Sequence, residues 1–214
     1  MIKINDVLKE SEIDIKLGII KGKVEINESN AKLHEFLEKY IDEKFNKNKD
    51  YKEFPSIASG RKFYRYFKKD PARYRLSSES LIRRLQKGKK LYYVNDLVDV
   101  LNYVSLSTGY PVGLYNRDEI TGDIRYRLGG ENEQYNGIGR GELNIRNLPV
   151  LSDDIGAFGS TTSDSTRTQI DSSVKNIMIV IFSFDDEMND SVIKNVVDLI
   201  EKYLVFEYES STII

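Results

Sequence analysis

From Ile13 to Ile26 apolar residues alternate with polar ones at Ile13, Ile15, Leu17 and Ile19, and Gly18 and Gly22 interrupt the run, which predicts strand, turn, strand. Leu33, Phe36, Leu37, Tyr40 and Ile41 then recur at helical spacing behind Ser29 or Asn30, either of which can cap the helix. The lysine- and asparagine-rich stretch KFNKNKDYKEF, ending at Pro55, predicts a surface loop. A helix is expected from Arg61 to Lys69, stopped at Asp70-Pro71 because proline disfavours helical conformation in the residue before it. Ser77 can cap a second helix running through Arg84 and Leu85 toward Gly88. Asn95 can cap a third, Asp96 to Ser107, with Leu97, Val98, Leu101, Val104 and one edge of Tyr103 turned inward.

Strands are expected at Ile120 to Leu128, at Leu143 to Leu151 with Pro149 near its end, and at Ile177 to Phe184 as a buried strand. Between the first two lies the glycine-rich loop GGENEQYNGIGRGE, whose GIGRG lacks a phosphate-loop lysine and a strand-to-helix setting, and so is weak evidence of nucleotide binding. Asp190 to Leu204 closes the chain as a helix, and VFEYESSTII either adds an edge strand or hangs free. Strands and helices mix without regular alternation or internal repeat, which predicts an α+β fold.

Composition narrows the chemistry. With 214 residues, 40% of them hydrophobic, the chain can bury a substantial core. The absence of cysteine removes disulfides, thiolate nucleophiles and Cys-based zinc sites, and one histidine leaves no spacing suited to a metal, so no metal or cofactor is expected. The longest apolar run, Ile177 to Phe182, is far short of the roughly 20 residues that cross a bilayer. The N-terminal stretch shows no secretion signal, and a cytoplasmic protein with no membrane partner is expected. His34, on the lysine-rich helix, reads as an exposed bystander.

The net charge of −2 hides an uneven distribution: residues 61–90 hold 12 Lys or Arg against Asp70 and Glu79, leaving 20 basic and 32 acidic residues elsewhere. One face suited to a polyanion on an otherwise acidic body follows, and the interleaved Phe63, Tyr64, Tyr66, Phe67 and Tyr74 suit RNA. The alternative is a solvated helical face with its aromatics turned inward. Glu79 and Arg83, one turn apart, read as an ordinary surface pair.

Two segments gather polar chemistry. FGSTTSDSTRT, Phe158 to Thr168, packs small hydroxyls around Asp164 and Arg167, with Gly156 and Gly159 to let backbone approach a ligand. Asp164 could hold an amino group and Arg167 a carboxylate or phosphate oxygen pair; alternatively the two form an internal pair that shapes the loop. In DVLNYVSLSTGYPVGLYN, Asp99 to Asn116, Asn102 sits on an inward side of a helix that stops at Gly109 and Pro111. An unpartnered buried amide costs about 1–3 kcal/mol, so Asn102 is expected to have a partner, backbone or ligand. Asp99 either lines the same pocket or sits wet on the helix, and Asp153-Asp154 before Gly156 is a turn signature.

In this order, YRLSSESLIRR, VNDLVDVLNYVSLSTGYPVGLYN, IRYRLGG, YNGIGRGELN, PVLSDDIGAFG and TSDSTRTQI resemble the B3/B4 editing domain of the phenylalanyl-tRNA synthetase beta subunit, and more closely its free-standing relatives. The resemblance runs from about Arg73 to Phe184 and carries little in the first sixty residues. It implies a single B3/B4-like α+β domain over residues 1–214, with 1–60 a strand and helix extension, 61–184 the family-like core and 185–214 a closing helix and tail. It also implies deacylation of mischarged aminoacyl-tRNA in trans, with tRNA and an amino-acid moiety as partners and no DNA. A non-catalytic amino-acid- or tRNA-binding module is the alternative.

On that reading Asn102, Ser163, Asp164 and Thr168 carry catalysis, and Gly113, Tyr115, Gly159, Ser160, Ser165 and Arg167 line the substrate. Arg61, Lys62, Arg65, Arg73, Arg75, Arg83 and Arg84 face tRNA. Asn102 is the one functional position of the family motif that carries over. Gly113 stands where the family has a histidine, and neutral Ser160-Thr161-Thr162 stand where it has a glycine and a glutamate, with Asp164 displaced from the latter. Ester hydrolysis needs neither group when dipoles orient a water.

Overall fold

The computed structural model describes residues 1–45 and 50–214; part of the expected KFNKNKDYKEF loop, residues 46–49, lies outside them. The elements are β1 (Ile2–Ile4), α1 (Asp6–Lys9), β2 (Lys16–Val24), α2 (Ala31–Phe45), α3 (Pro55–Tyr66), α4 (Ser77–Gln86), α5 (Asp96–Thr108) and β3 (Val112–Asn116). There follow β4 (Ile124–Leu128), β5 (Gln134–Gly137), β6 (Gly141–Asn144), β7 (Pro149–Ser152), β8 (Ala157–Ser160), β9 (Asn176–Ser183), α6 (Asp190–Tyr203) and β10 (Phe206–Ile213). The fold is α+β.

Strand order explains the layering. One four-stranded sheet runs β10-β2-β9-β3 and a second β1-β4-β7-β8, while β5 and β6 form a separate hairpin. β1 pairs with β4 in parallel; the other named pairs are antiparallel. The inner strand β9 of the first sheet is covered on both faces, whereas its edge strand β10 is exposed. Met178, Val180 and Phe182 of β9 join the core shared with the second sheet, α3 and α4, and the intervening Ile177, Ile179 and Ile181 join the core under α2, α5 and α6. That is why Ile177 to Phe182 is an unbroken apolar run: a strand buried on both faces has no polar side to alternate with. Each such side chain contributes about 1.5–3 kcal/mol by leaving water.

Several expectations are corrected, among them the strand expected from Ile120, which begins only at Ile124. Residues 13–26 hold a single strand: a side chain at Gly18 would meet Ile193 of α6, and one at Gly22 the ring of Phe206, so these glycines admit close neighbours rather than a turn. The helix expected from Arg61 begins at Pro55, in first-turn position where its missing N–H costs nothing, and ends at Tyr66. The strand expected over 143–151 is interrupted, with Pro149 opening β7, and the glycine-rich loop contains the hairpin β5–β6. Ser77 starts α4, but its side chain caps nothing; its N–H donates to the Thr161 carbonyl at 2.7 Å.

Caps fall elsewhere as chain chemistry dictates. Asn30 Oδ1 accepts the Leu33 N–H at 3.0 Å at the start of α2, and Asn95 Oδ1 accepts that of Val98 at 2.8 Å. α5 ends at Gly109, whose φ of +77° places it in the left-handed region while its N–H returns to the Ser105 carbonyl at 3.0 Å. His34 is half-buried, its ring 3.9 Å from that of Tyr93 between centroids. The C-terminal segment is an edge strand on β2.

Candidate functional site

The start of α4, one face of α5 and the edge strand β3 meet the segments at Ile138 and at 164–170 around a cavity of about 280 Å³. Leu101, Asn102 and Ser105 line it from α5, Ser77 and Leu81 from α4, and Val112 and Leu114 from β3. Val94, Asn95 and Val98 at the start of α5, together with Ile138, Asp164, Gln169 and Ile170, complete the wall. A second hollow of the same volume, between α2 and residues 88–91, shares none of these residues. The helical residues fall together because positions three or four apart share a face; the strand residues do so because alternate positions do.

Asp164 is the carboxylate of this cavity. Its Oδ1 accepts the Tyr115 hydroxyl at 2.8 Å and the Ser160 N–H at 3.3 Å, and the backbone at Leu114, on the free edge of β3, also bonds it. Burial outweighs these three bonds and pushes its carboxyl up to about 7. An acid poised there can pass between neutral and charged forms near neutral pH. The Asn102 side chain makes no hydrogen bond within the chain among the described residues, so its amide is free to engage whatever occupies the cavity. Asp99, one turn before it, does not line the cavity; it is buried, accepts the Val94 N–H at 3.1 Å, and burial raises its pKa.

The other predicted pocket residues lie outside the cavity wall. Gly113 and Gly159 do not open backbone to a ligand: a Cβ at either would overlap the Tyr115 hydroxyl, so the two glycines make room for the chain's own side chain. Tyr115 points to the opposite side of β3 from Val112 and Leu114, is fully buried, and reaches Asp164 from behind. The Ser160 hydroxyl takes the N–H groups of Thr162 and Ser163 at 3.3 and 3.2 Å and donates to the Ser163 carbonyl at 2.9 Å, which also accepts Tyr135 at 2.6 Å. Ser165 caps the short turn Thr166–Thr168, and Thr168 is fully buried with no partner for its hydroxyl among the described residues. These groups hold the loop's shape.

Arg167 is likewise internal. Its guanidinium grips Asp153 through contacts of 2.9 and 3.1 Å and donates to the Glu119 carbonyl at 2.6 Å, beside the Phe158 ring. Although burial works against the Asp153 charge, the N–H groups of Thr121 and Gly156 and the Arg167 guanidinium hold its carboxyl below the usual range. The alternative weighed from sequence, a loop-shaping pair, is right in kind, but the partner is Asp153 rather than Asp164.

The basic segment divides. Arg61 places one nitrogen 2.9 Å from both oxygens of Glu79, and Arg83 approaches the same carboxylate at 3.4 Å. Glu79 is fully buried, so this is no surface pair, and two of the expected tRNA contacts are bound to an internal charge. Lys62, Arg65, Arg73 and Arg75 are exposed. Arg84 stacks 3.7 Å from the centroid of Tyr92, itself 71% exposed, two residues before the cavity-lining Val94.

Sequence reasoning missed Ser77, Asn95, Ser105 and Gln169 as polar lining. Ser105 was findable, since it lies one turn beyond Asn102. On β3 the sequence reading took the wrong parity: Val112 and Leu114, not Gly113 and Tyr115, face the cavity.

An α+β domain built of two four-stranded sheets, with a mainly apolar cavity between a helix and a free strand edge, is the class this geometry defines. The chain belongs to the B3/4 domain family, whose model matches residues 59–203. It is 30% identical over 88 residues to a phenylalanine–tRNA ligase beta subunit from Bartonella henselae, and 30% identical over 89 residues to that of Bartonella quintana. Each match covers 40% of this chain and 11% of the ligase subunit, so the chain answers to a small part of those relatives. A crystal structure of an N-terminal fragment of the Pyrococcus horikoshii phenylalanyl-tRNA synthetase beta subunit shares the fold, with a TM-score of 0.51 and 12% identity over 100% of this chain and 50% of the fragment. Among the described residues no helix is long and apolar enough to cross a membrane.

Proposed function

We propose that the protein hydrolyses, in trans, the ester joining an amino acid to the end of a tRNA. The observation that carries this reading is that Asn102 and Asp164, on separate elements, both line one largely apolar cavity, the first with an uncommitted amide. The aminoacyl side chain packs against Leu81, Leu101, Val112 and Ile170, and Asp164 accepts the α-ammonium, whose charge favours the ionised carboxylate. Asn102 and Ser105 orient a water toward the ester carbonyl. The water oxygen bonds to the carbonyl carbon, the ribose ester bond breaks, and the ribose oxygen leaves with a proton. Exposed Lys62, Arg65, Arg73 and Arg75 supply phosphate contacts, and the protein acts in the cytoplasm.

Release of amino acid from a panel of charged tRNAs tests the reading. Turnover of at least one member, lost in Asn102→Ala and Asp164→Ala, is expected. Turnover unchanged in both variants would remove the cavity from the mechanism.

A second reading, a binding module without turnover, rests on a specific observation: the cavity wall holds one carboxylate and no histidine. Stabilisation by free amino acids with no release from any charged tRNA would select it.

A further inference from the structure

Below the C-terminal end of α3 the chain turns through Lys68 to Arg75, and this turn holds an electrostatic imbalance. Lys69 is 9% exposed, yet among the described residues its ammonium meets no carboxylate within ion-pair distance; its near contact is the Tyr74 ring, whose centroid lies 4.1 Å away. The Arg73 guanidinium lies 5.6 Å from the centroid of the same ring. Arg146, from the loop between β6 and β7, is close enough that its charge and that of Arg73 both depress the Lys69 ammonium, after burial itself. Two acids of these segments are otherwise engaged: Asp70 accepts the Ala72 N–H at 2.8 Å, and Glu131 pairs with Arg146 at 3.1 Å. That pair has both side chains more than half exposed, at 55% and 72%, and such pairs hold partners loosely.

Two guanidinium groups held near an ammonium that has no carboxylate partner among the described residues are unfavourable unless an anion enters among them. A phosphate group supplies what is missing, because it accepts from the ammonium and from planar guanidinium forks at once. We propose that Lys69, Arg73 and Arg146 form a phosphate-binding site, fit for a nucleic-acid phosphodiester or for free phosphate. The site does not depend on hydrolysis in the cavity. Tyr74 ties it to the cavity rim, since its carbonyl accepts Thr162 at 3.4 Å and Thr162 is two residues before Asp164.

The test uses the whole protein and Lys69→Met, which keeps the stem and removes the charge, with Arg73→Gln as a second variant on an exposed side chain. Inorganic phosphate, pyrophosphate and a short single-stranded RNA are the probes. In the parent protein phosphate is expected to raise the melting temperature, and the rise to shrink in both variants. RNA affinity is expected to fall several-fold, with the slope of log affinity against log salt shallower by about 1 per lost contact. Without anion, Lys69→Met is expected to melt no lower than the parent, and the phosphate-dependent rise separates a binding role from a packing one. Stabilisation by phosphate with no change in RNA binding identifies free phosphate as the source; a changed RNA slope identifies the phosphodiester. If no probe stabilises the parent, or if both variants keep the parent's phosphate response and RNA salt slope, the site is wrong. Loss of all tRNA turnover with these responses intact would overturn only the hydrolytic reading.

Discussion

Tyr115 donates its hydroxyl to Asp164 at 2.8 Å from a fully buried ring, with Gly113 and Gly159 on either side of that hydroxyl. The bond joins the closed interior of the domain to its open cavity. Tyr115, expected to line the pocket, instead supports Asp164, which does line it.

Asp164, held up to about 7, has a folded pKa above its ordinary value of 3.8. The folded state therefore keeps a proton that the unfolded chain gives up, and stability falls as pH rises through that interval, levelling above it. The loss is at most about 4 kcal/mol at 1.36 kcal/mol per unit. Asp164→Asn is expected to flatten the melting temperature between pH 4 and 7, as calorimetry across that range will show. Any amino-acid release that needs the carboxylate should rise through about pH 7 in the parent.

Removing the Tyr115 hydroxyl takes away a bond that favours the ionised Asp164. In Tyr115→Phe the rise of activity with pH is expected to move to higher pH, with a stability cost of about 1 kcal/mol. A shift to lower pH, measured in the same titration, would contradict the arrangement.

Glu79 is buried against Arg61 and Arg83. Glu79→Gln should cost about 3 kcal/mol or more by leaving two guanidinium groups without their counter-charge. Arg61→Ala is expected to lower the melting temperature without changing the salt slope of tRNA binding, whereas Lys62→Ala and Arg65→Ala should make that slope shallower and leave melting nearly unchanged.

Arg167→Ala should act on the loop rather than on the ligand. A loss of about 2–4 kcal/mol is expected from breaking its paired contact with buried Asp153, and Asp153→Asn should reproduce much of it. Asp153 has a depressed pKa, so its stabilisation is present above the ordinary carboxylate range and disappears as pH falls through its folded value. Acid melts of the parent and Asp153→Asn, converging at low pH, check this.

The chain's own order of residues determined much of this. Helical spacing and a capping asparagine placed α5; the unbroken run from Ile177 to Phe182 placed a strand buried on both faces; and Asn102 and Asp164 were legible as polar groups in the wrong company for a core. These are local signals, set by period and cap chemistry within a few residues. Other assignments needed contacts between distant residues. Gly18 and Gly22 look like turns until α6 and β10 are seen to press on them, and Arg167 looks like a ligand hook until Asp153 arrives from the preceding turn. Which face of β3 meets the cavity was decided by packing too, since period two fixes that alternate residues agree but not which set turns inward. Charge behaved likewise: the sequence showed a basic segment, and only the fold divided it into cations that bind Glu79 and cations left facing one another.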